Sequence, residues 1–348
     1  MELDRILEDW YWDHRRELPW KETSNPYHIW LREVILQQTR VEQGREYYFR
    51  FLETFPTVQD LASADEKEVL KCWQGLGYYS RARNLHAAAR YIMEQLGGKF
   101  PETYEEILKL KGVGKYTAAA IASFAYKLPY PVIDGNVYRF VARLYGIHTP
   151  IGTDTAFKEF ETILKKNIDK VSPDVFNQAI MDYGATVCKP TGCECGNCVF
   201  SEYCYAFKNG KVALLPIKGS KAVVRPRYLL YIDVDWTAED EHYTMVHQRH
   251  SKDIWKGLYE FPLLEYDTKK TEEELNTDIR KLLGDDIEIE EHQEFVHKLT
   301  HQTINATFVK VKIQEKATRI LQNERPITRG ELKKLPISRL IDRYLEKT

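Results

Sequence analysis

Apolar positions recur at three- and four-residue intervals through the first 208 residues and alternate with polar ones beyond about residue 227. Within 27–38, Tyr27, Trp30, Leu31, Val34 and Ile35 share one helical face, and the alanine-rich run 113–126 also reads as a helix. Another helical run covers 137–145. Turns punctuate these segments at Phe55-Pro56, Gly75-Leu76-Gly77, Gly97-Gly98, Gly112-Val113-Gly114 and Asp134-Gly135-Asn136. From Asn209 to Pro226 the residues become small, basic and proline-bearing, which marks a linker. Strands are then expected at 228–236, 243–248, 258–264 and 304–313, with an acidic helix near 271–283 and a closing helix at 336–344. The expected organisation is an all-α domain over 1–208, a basic linker over 209–226 and an α+β domain over 227–348.

A chain of 348 residues has room for two or three folded units, and 43% hydrophobic with 29% charged residues excludes a disordered or collagen-like chain. No apolar run approaches the roughly 18 residues of a spanning helix. The opening Met1-Glu2-Leu3-Asp4-Arg5 lacks a signal-peptide layout, so no membrane partner and a cytoplasmic location, nucleoid-associated if the source is bacterial, are expected. The net charge of -2 argues weakly against a nucleic-acid partner, but it averages over a strong local pattern. Residues 71–145 carry eleven Lys and Arg against five acids, and 209–225 add Lys211, Lys218, Lys221 and Arg225 with no acid. Localised positive charge of this kind suits phosphate contact.

Five of the six cysteines crowd into 188–204. Cys188, Cys195, Cys198 and Cys204 are separated by six, two and five residues, so four thiolates can converge on one centre. In an intracellular chain this points to metal and away from disulfides; zinc and an iron–sulfur cluster both accept four thiolates. Cys193 and Cys72 read as bystanders. The stretch Leu110-Lys111-Gly112-Val113-Gly114-Lys115-Tyr116-Thr117 lies between helical runs, and its glycines allow a tight reversal that bares backbone N–H groups at the next helix start.

Two carboxylates complete the candidate chemistry. Glu33 has Ile29, Trp30, Leu36 and Gln37 as its helical neighbours, so burial of that face would raise its pKa and keep a proton at hand. The alternative is a solvent-facing glutamate paired with Arg32 or another base. Asp134 precedes a helical run, where N-capping and the helix dipole would lower its pKa. Such a pair suits cleavage of a sugar–base bond, in which an acid protonates the leaving base and a carboxylate steadies the cationic sugar.

The cysteine spacing, the hairpin and the strings Glu33-Val34-Ile35-Leu36-Gln37-Gln38-Thr39 and Asp134-Gly135-Asn136-Val137 resemble the iron–sulfur base-excision glycosylases. Within them the match is to the adenine DNA glycosylases of the MutY family, from about Trp20 to the strands after residue 300. The resemblance implies a two-lobed helix-hairpin-helix glycosylase domain with an iron–sulfur loop, joined to a C-terminal Nudix-like domain. It implies a [4Fe–4S] cluster on Cys188, Cys195, Cys198 and Cys204 that shapes a DNA-contacting loop. Glu33 matches the acid that protonates N7 of adenine. Asp134 matches the support for an oxocarbenium-like sugar, with a transient covalent adduct. Asn136 matches a residue that positions Asp134 and the sugar, and Tyr116 matches a tyrosine facing the same site. Gly112, Gly114 and Lys115 fall in the backbone-gripping hairpin; Gln37 and Gln38 follow the Glu33 helix, and Gln38 and Tyr78 match residues inserted near the base opposite adenine.

Tyr116 stands where strand-cleaving relatives carry a Schiff-base lysine, which implies hydrolysis without a lyase step; the rival is a bifunctional glycosylase/lyase acting on oxidised pyrimidines. The C-terminal string 253–262 resembles a Nudix domain, yet the helix around Glu272-Glu273-Glu274 lacks that fold's Mg²⁺-holding arrangement, so a recognition module is expected. Leu299-Thr300-His301 occupies the place of the family's aromatic-Ser-His string, which recognises 8-oxoguanine. The implied activity is excision of adenine mispaired with 8-oxoguanine or guanine in double-stranded DNA, by a monomer, leaving an abasic site.

Overall fold

The computed structural model describes residues 2–219, 224–250, 253–314 and 324–347. Part of the expected linker, 220–223, lies outside the described residues. The chain divides into two compact units: Met1–Ser63 with Asn84–Ser220, and Ala64–Arg83 with Lys221–Thr348.

The first unit is helical, as the three- and four-residue apolar spacing requires. Asn25 starts the helix Pro26–Leu36 by accepting from the N–H groups of Tyr27 (2.9 Å) and His28 (3.4 Å), with Pro26 in the first turn. Tyr27 and Ile29–Ile35 are all buried, so this is a core helix covered almost all round. It ends at Leu36, two residues before the expected limit. Gln37 turns extended and Gln38 adopts φ of 56°, which turns the chain off the helix axis. The helix Lys115–Tyr126 packs against it, and the buried Ala118, Ala119, Ala120 and Ala122 leave room for close approach. Two further helices, Gly135–Tyr145 and Pro173–Thr186, pair in the same unit. Val137, Phe140, Ile180, Tyr183 and Phe200 bury their side chains in a shared core with Leu3 and Leu7.

Among the described residues of the second unit seven strands form one sheet: β1 (Arg225–Ala238), β2 (Glu241–Gln248), β3 (Tyr259–Glu260), β4 (Leu263–Tyr266), β5 (Ile287–Lys298), β6 (Gln302–Ile313) and β7 (Arg325–Thr328). The order is β3-β2-β1-β6-β5, with β4 on β1 and β7 on β2. β1 and β6 run parallel, in a register that sets Tyr228 beside Asn305. Strand alternation divides the core. Leu229 and Tyr231 join Phe308 and Tyr344 on one face, while Leu230, Ile232 and Val234 meet Leu275, Ile279 and Leu283 of the helix Glu272–Leu283 on the other.

The expected strand at 258–264 is two short strands broken at Phe261-Pro262, because proline has no N–H for the ladder. β5 was not among the expected strands. It lies at the end of the sheet order, and its charged sequence Ile287-Glu288-Ile289-Glu290-Glu291 suits an edge. The segment Ala64–Arg83 joins this unit through side chains: Lys71 Nζ donates to the carbonyls of Lys333 (2.7 Å) and Leu335 (3.0 Å), and the Tyr79 hydroxyl donates to that of Ile337 (3.1 Å).

Candidate active site

The helical unit holds an open cavity of about 820 Å³. Glu33, Gln37, Gln38, Gly112, Gly114, Lys115, Tyr116, Asp134 and Asn136 all line it. Residues spread over a hundred positions therefore converge because three elements meet there: the end of the helix Pro26–Leu36, the start of Lys115–Tyr126 and the start of Gly135–Tyr145.

Glu33 is 6% exposed, as its apolar neighbours require. Its carboxylate, however, is not in the bare apolar setting expected. The Arg32 Nε donates to Oε1 at 2.8 Å and the Tyr116 hydroxyl donates to Oε2 at 2.8 Å. Arg32 is itself fixed, giving Nη1 to the Trp20 carbonyl at 2.9 Å and lying over the Phe124 ring. Burial, reinforced by the nearby carboxylates of Glu33 and Asp134, pushes the Tyr116 phenol well above its ordinary pKa, so it stays a donor.

Asp134 caps its helix as expected. It accepts from the N–H groups of Asn136 (2.8 Å) and Val137 (2.7 Å), and from the Asn136 side-chain amide (2.8 Å). The expected lowering of its pKa is corrected. Burial pushes the carboxyl above its ordinary value and outweighs the hydrogen bonds and Arg139, which pull downward. Arg139 continues the chain of contacts: it donates to Asn136 Oδ1 (2.9 Å), the Gly184 carbonyl (2.6 Å) and the Cys188 carbonyl (2.7 Å). Gly184 is required here, since a Cβ would come within 2.7 Å of the Asn136 carbonyl oxygen.

At the hairpin, Gly112 has φ of 80° and a Cβ would sit 2.6 Å from that of Asn84. Gly114 caps the 12-residue helix Lys115–Tyr126 without a side-chain acceptor. Lys115 directs its Nζ to the exposed Asp154 at 2.9 Å.

Sequence reasoning missed one wall of the cavity. Asp182, 1% exposed, takes Arg16 (2.6 Å) and Lys21 (2.6 Å), and burial drives the Lys21 ammonium pKa down despite that partner. Gln178 lines the same wall and accepts from the Tyr11 hydroxyl at 2.9 Å. The available signal was a polar pair four residues apart on a helix that otherwise buries Phe176, Ala179, Ile180 and Tyr183.

Four other expected residues belong to the second unit. The Tyr78 hydroxyl lies 2.6 Å from Thr300 Oγ1. Tyr78 is 44% exposed and holds φ of 47°, an uncommon backbone state for a bulky residue. Leu299 is partly buried against the sheet core, whereas Thr300 and His301 are exposed at the β5–β6 turn.

Cys188, Cys195, Cys198 and Cys204 wall a single pocket beside Phe140, Arg143 and Phe200. Among the described residues no three Cys, His, Asp or Glu side chains close on a single ion. The Tyr183 hydroxyl lies 2.9 Å from Cys198 Sγ. Burial pushes the Cys188 and Cys204 thiols up, with the Arg143 guanidinium opposing it at both. A soft, all-sulfur donor set beside a buried cation fits an anionic iron–sulfur group.

Residues 31–166 match the HhH-GPD superfamily of base excision DNA repair proteins, and residues 236–347 match the NUDIX domain. The chain also resembles a thermostable thymine-DNA glycosylase, with 26% identity and a TM-score of 0.55 over 59% of this chain and 94% of the other. A non-covalent endonuclease III–DNA complex shares the fold at 23% identity and a TM-score of 0.52, covering 59% and 95%. The chain is thus a base-excision repair enzyme of the helix-hairpin-helix type, carrying a Nudix domain.

The adenine DNA glycosylase of Buchnera aphidicola subsp. Baizongia pistaciae is 34% identical over 85% of this chain and 82% of its own length. That of Rattus norvegicus is 41% identical over 61% of this chain and 43% of its own. The chain belongs to the adenine DNA glycosylase family. The group typically carries a [4Fe–4S] cluster. Among the described residues no helix is long and apolar enough to cross a membrane.

Proposed function

We propose that this chain hydrolyses the bond between adenine and deoxyribose in duplex DNA, using Glu33 and Asp134 from one cavity. The observation that carries this reading is that both carboxylates, with Tyr116 and Asn136, line the same 820 Å³ space. Glu33 delivers a proton to N7 of the departing adenine, and the Tyr116 phenol holds the opposite carboxylate oxygen. Asp134, oriented by two backbone N–H groups and the Asn136 amide, steadies positive charge on the sugar. Adenine must leave the base stack to enter such a cavity. The uncapped helix start at Gly114 suits the DNA phosphate beside it, a contact that positions without reading sequence.

Cys188, Cys195, Cys198 and Cys204 hold the [4Fe–4S] cluster, which fixes the 188–204 loop when bound. Lys115 lines the cavity but gives its Nζ to Asp154 at 2.9 Å, and the residue that holds Glu33 there is Tyr116, whose phenol forms no Schiff base. Excision is therefore monofunctional. The exposed Tyr78–Thr300 hydroxyl pair supports reading of an oxidised guanine opposite the adenine, with Gln38 inserting from the cavity rim. The protein works as a monomer on one duplex.

The test is single-turnover excision from duplexes with adenine opposite 8-oxoguanine, guanine or thymine, each scored with and without alkali. Fast excision opposite 8-oxoguanine, slower opposite guanine, and breaks only after alkali are expected. Breakage without alkali would overturn the monofunctional reading, and equal rates opposite all three bases would overturn the lesion-partner reading.

A further inference from the structure

Cys193 lies outside the spacing that defines the four expected ligands, yet it faces the same pocket as all of them. Its Sγ is 3.6 Å from that of Cys195. It is also 3.8 Å from Arg143 Nη1, the guanidinium nitrogen that lies 3.5 Å from Cys188 Sγ. Arg143 is 4% exposed and pinned by the carbonyls of Leu215 (3.0 Å), Lys189 (2.7 Å) and Pro190 (3.2 Å), so its charge is fixed beside both sulfurs.

A thiolate–metal bond is about 2.3 Å long, taking zinc as the guide. Spheres of that radius around sulfurs 3.6 Å apart intersect, so one metal position lies within bonding distance of either sulfur. A glycine flanks the pair on each side, Gly192 before Cys193 and Gly196 after Cys195. Gly192 has φ of 65°, and a Cβ added at Gly192 or Gly196 would meet nothing within 4 Å.

We propose that Cys193 is a substitute ligand, able to bind the iron that Cys195 holds. This rests on the cluster reading above. The exchange is a ligand substitution: the iron–sulfur bond to Cys195 breaks as one to Cys193 forms, and the Cys193 thiol proton ends on the released Cys195 thiolate. No electron is transferred.

The test uses the full chain as wild type, C193S, C195S, C193S/C195S and C198S, with iron and sulfide per chain and the visible absorption of the cluster as readouts. Anaerobic reconstitution of each purified variant repeats the measurement independently of assembly in the cell. C193S should load as wild type does. C195S should keep more than about half the iron, while C193S/C195S and C198S fall below about a tenth. C195S as empty as the double variant would overturn the proposal, as would loss of the cluster from C193S alone. A wild-type chain that takes up no iron would overturn the cluster reading itself, whereas a loaded wild type with an empty C195S overturns only the substitution.

Discussion

Two buried glutamates, one in each unit, have nearly the same immediate partners. Glu33 holds Arg32 and the Tyr116 hydroxyl; Glu260 holds Arg249 through both oxygens (2.9 and 3.0 Å) and the Tyr231 hydroxyl at 3.2 Å. Glu260 also meets His247 at 3.0 Å. Burial, an arginine and a tyrosine therefore do not distinguish a reacting carboxylate from a structural one. The distinction is in what else each faces. Glu33 borders a large cavity shared with Asp134, whereas Glu260 spends its acceptor capacity on three fixed partners inside a sheet.

The sharpest way to break this comparison is to remove each charge. Glu33→Gln should lower single-turnover excision by about a thousandfold while the duplex still binds. Glu260→Gln should instead destabilise the fold, by about 3–5 kcal/mol as a broken buried pair, with excision by the folded fraction nearly unchanged. Urea denaturation beside single-turnover kinetics checks both; the opposite assignment of effects would collapse the distinction.

Asp134→Asn separates capping from chemistry, because asparagine caps helices about as well as aspartate. Excision should fall by about a hundredfold or more, with the denaturation midpoint almost unmoved. A large stability loss with residual activity intact would make Asp134 a cap only. Tyr116→Phe removes the donor to Glu33 and should slow excision by about tenfold, the scale of a hydrogen bond to a charged group; an unchanged rate would remove Tyr116 from the chemistry.

The smallest effect concerns His247, whose pKa rises from 6.5 to about 9 because Glu260 and Glu324 accept from its ring. The folded value exceeds the unfolded one. Its contribution to stability is thus complete below about 6.5 and disappears as pH rises through about 9. His247→Gln should lower Tm at pH 6 and have little effect at pH 10; equal lowering at both would show that the charged imidazole is not responsible.

Most elements were legible in the sequence, because apolar spacing sets helix and strand directly. Burial of Glu33 followed from Ile29, Trp30 and Leu36, and the Asp134 cap from its place before Gly135-Asn136. Partners were less legible. Arg32 turns inward to its neighbour Glu33 because the Trp20 carbonyl and the Phe124 ring hold it there, contacts set by the tertiary fold. The upward shift of Asp134 likewise depends on the depth of burial, which helix capping alone does not reveal. Asp182 stayed hidden because its partners, Arg16 and Lys21, lie more than 160 residues away.

The most direct measurement is a crystal structure of the Glu33→Gln chain with a duplex holding adenine opposite 8-oxoguanine. The adenine should lie in the cavity with N7 within about 2.6–3.2 Å of the residue 33 side chain, and the Asp134 carboxylate should face C1′ of the same sugar. A flipped adenosine touching one of those side chains, with the other out of reach, would contradict the account.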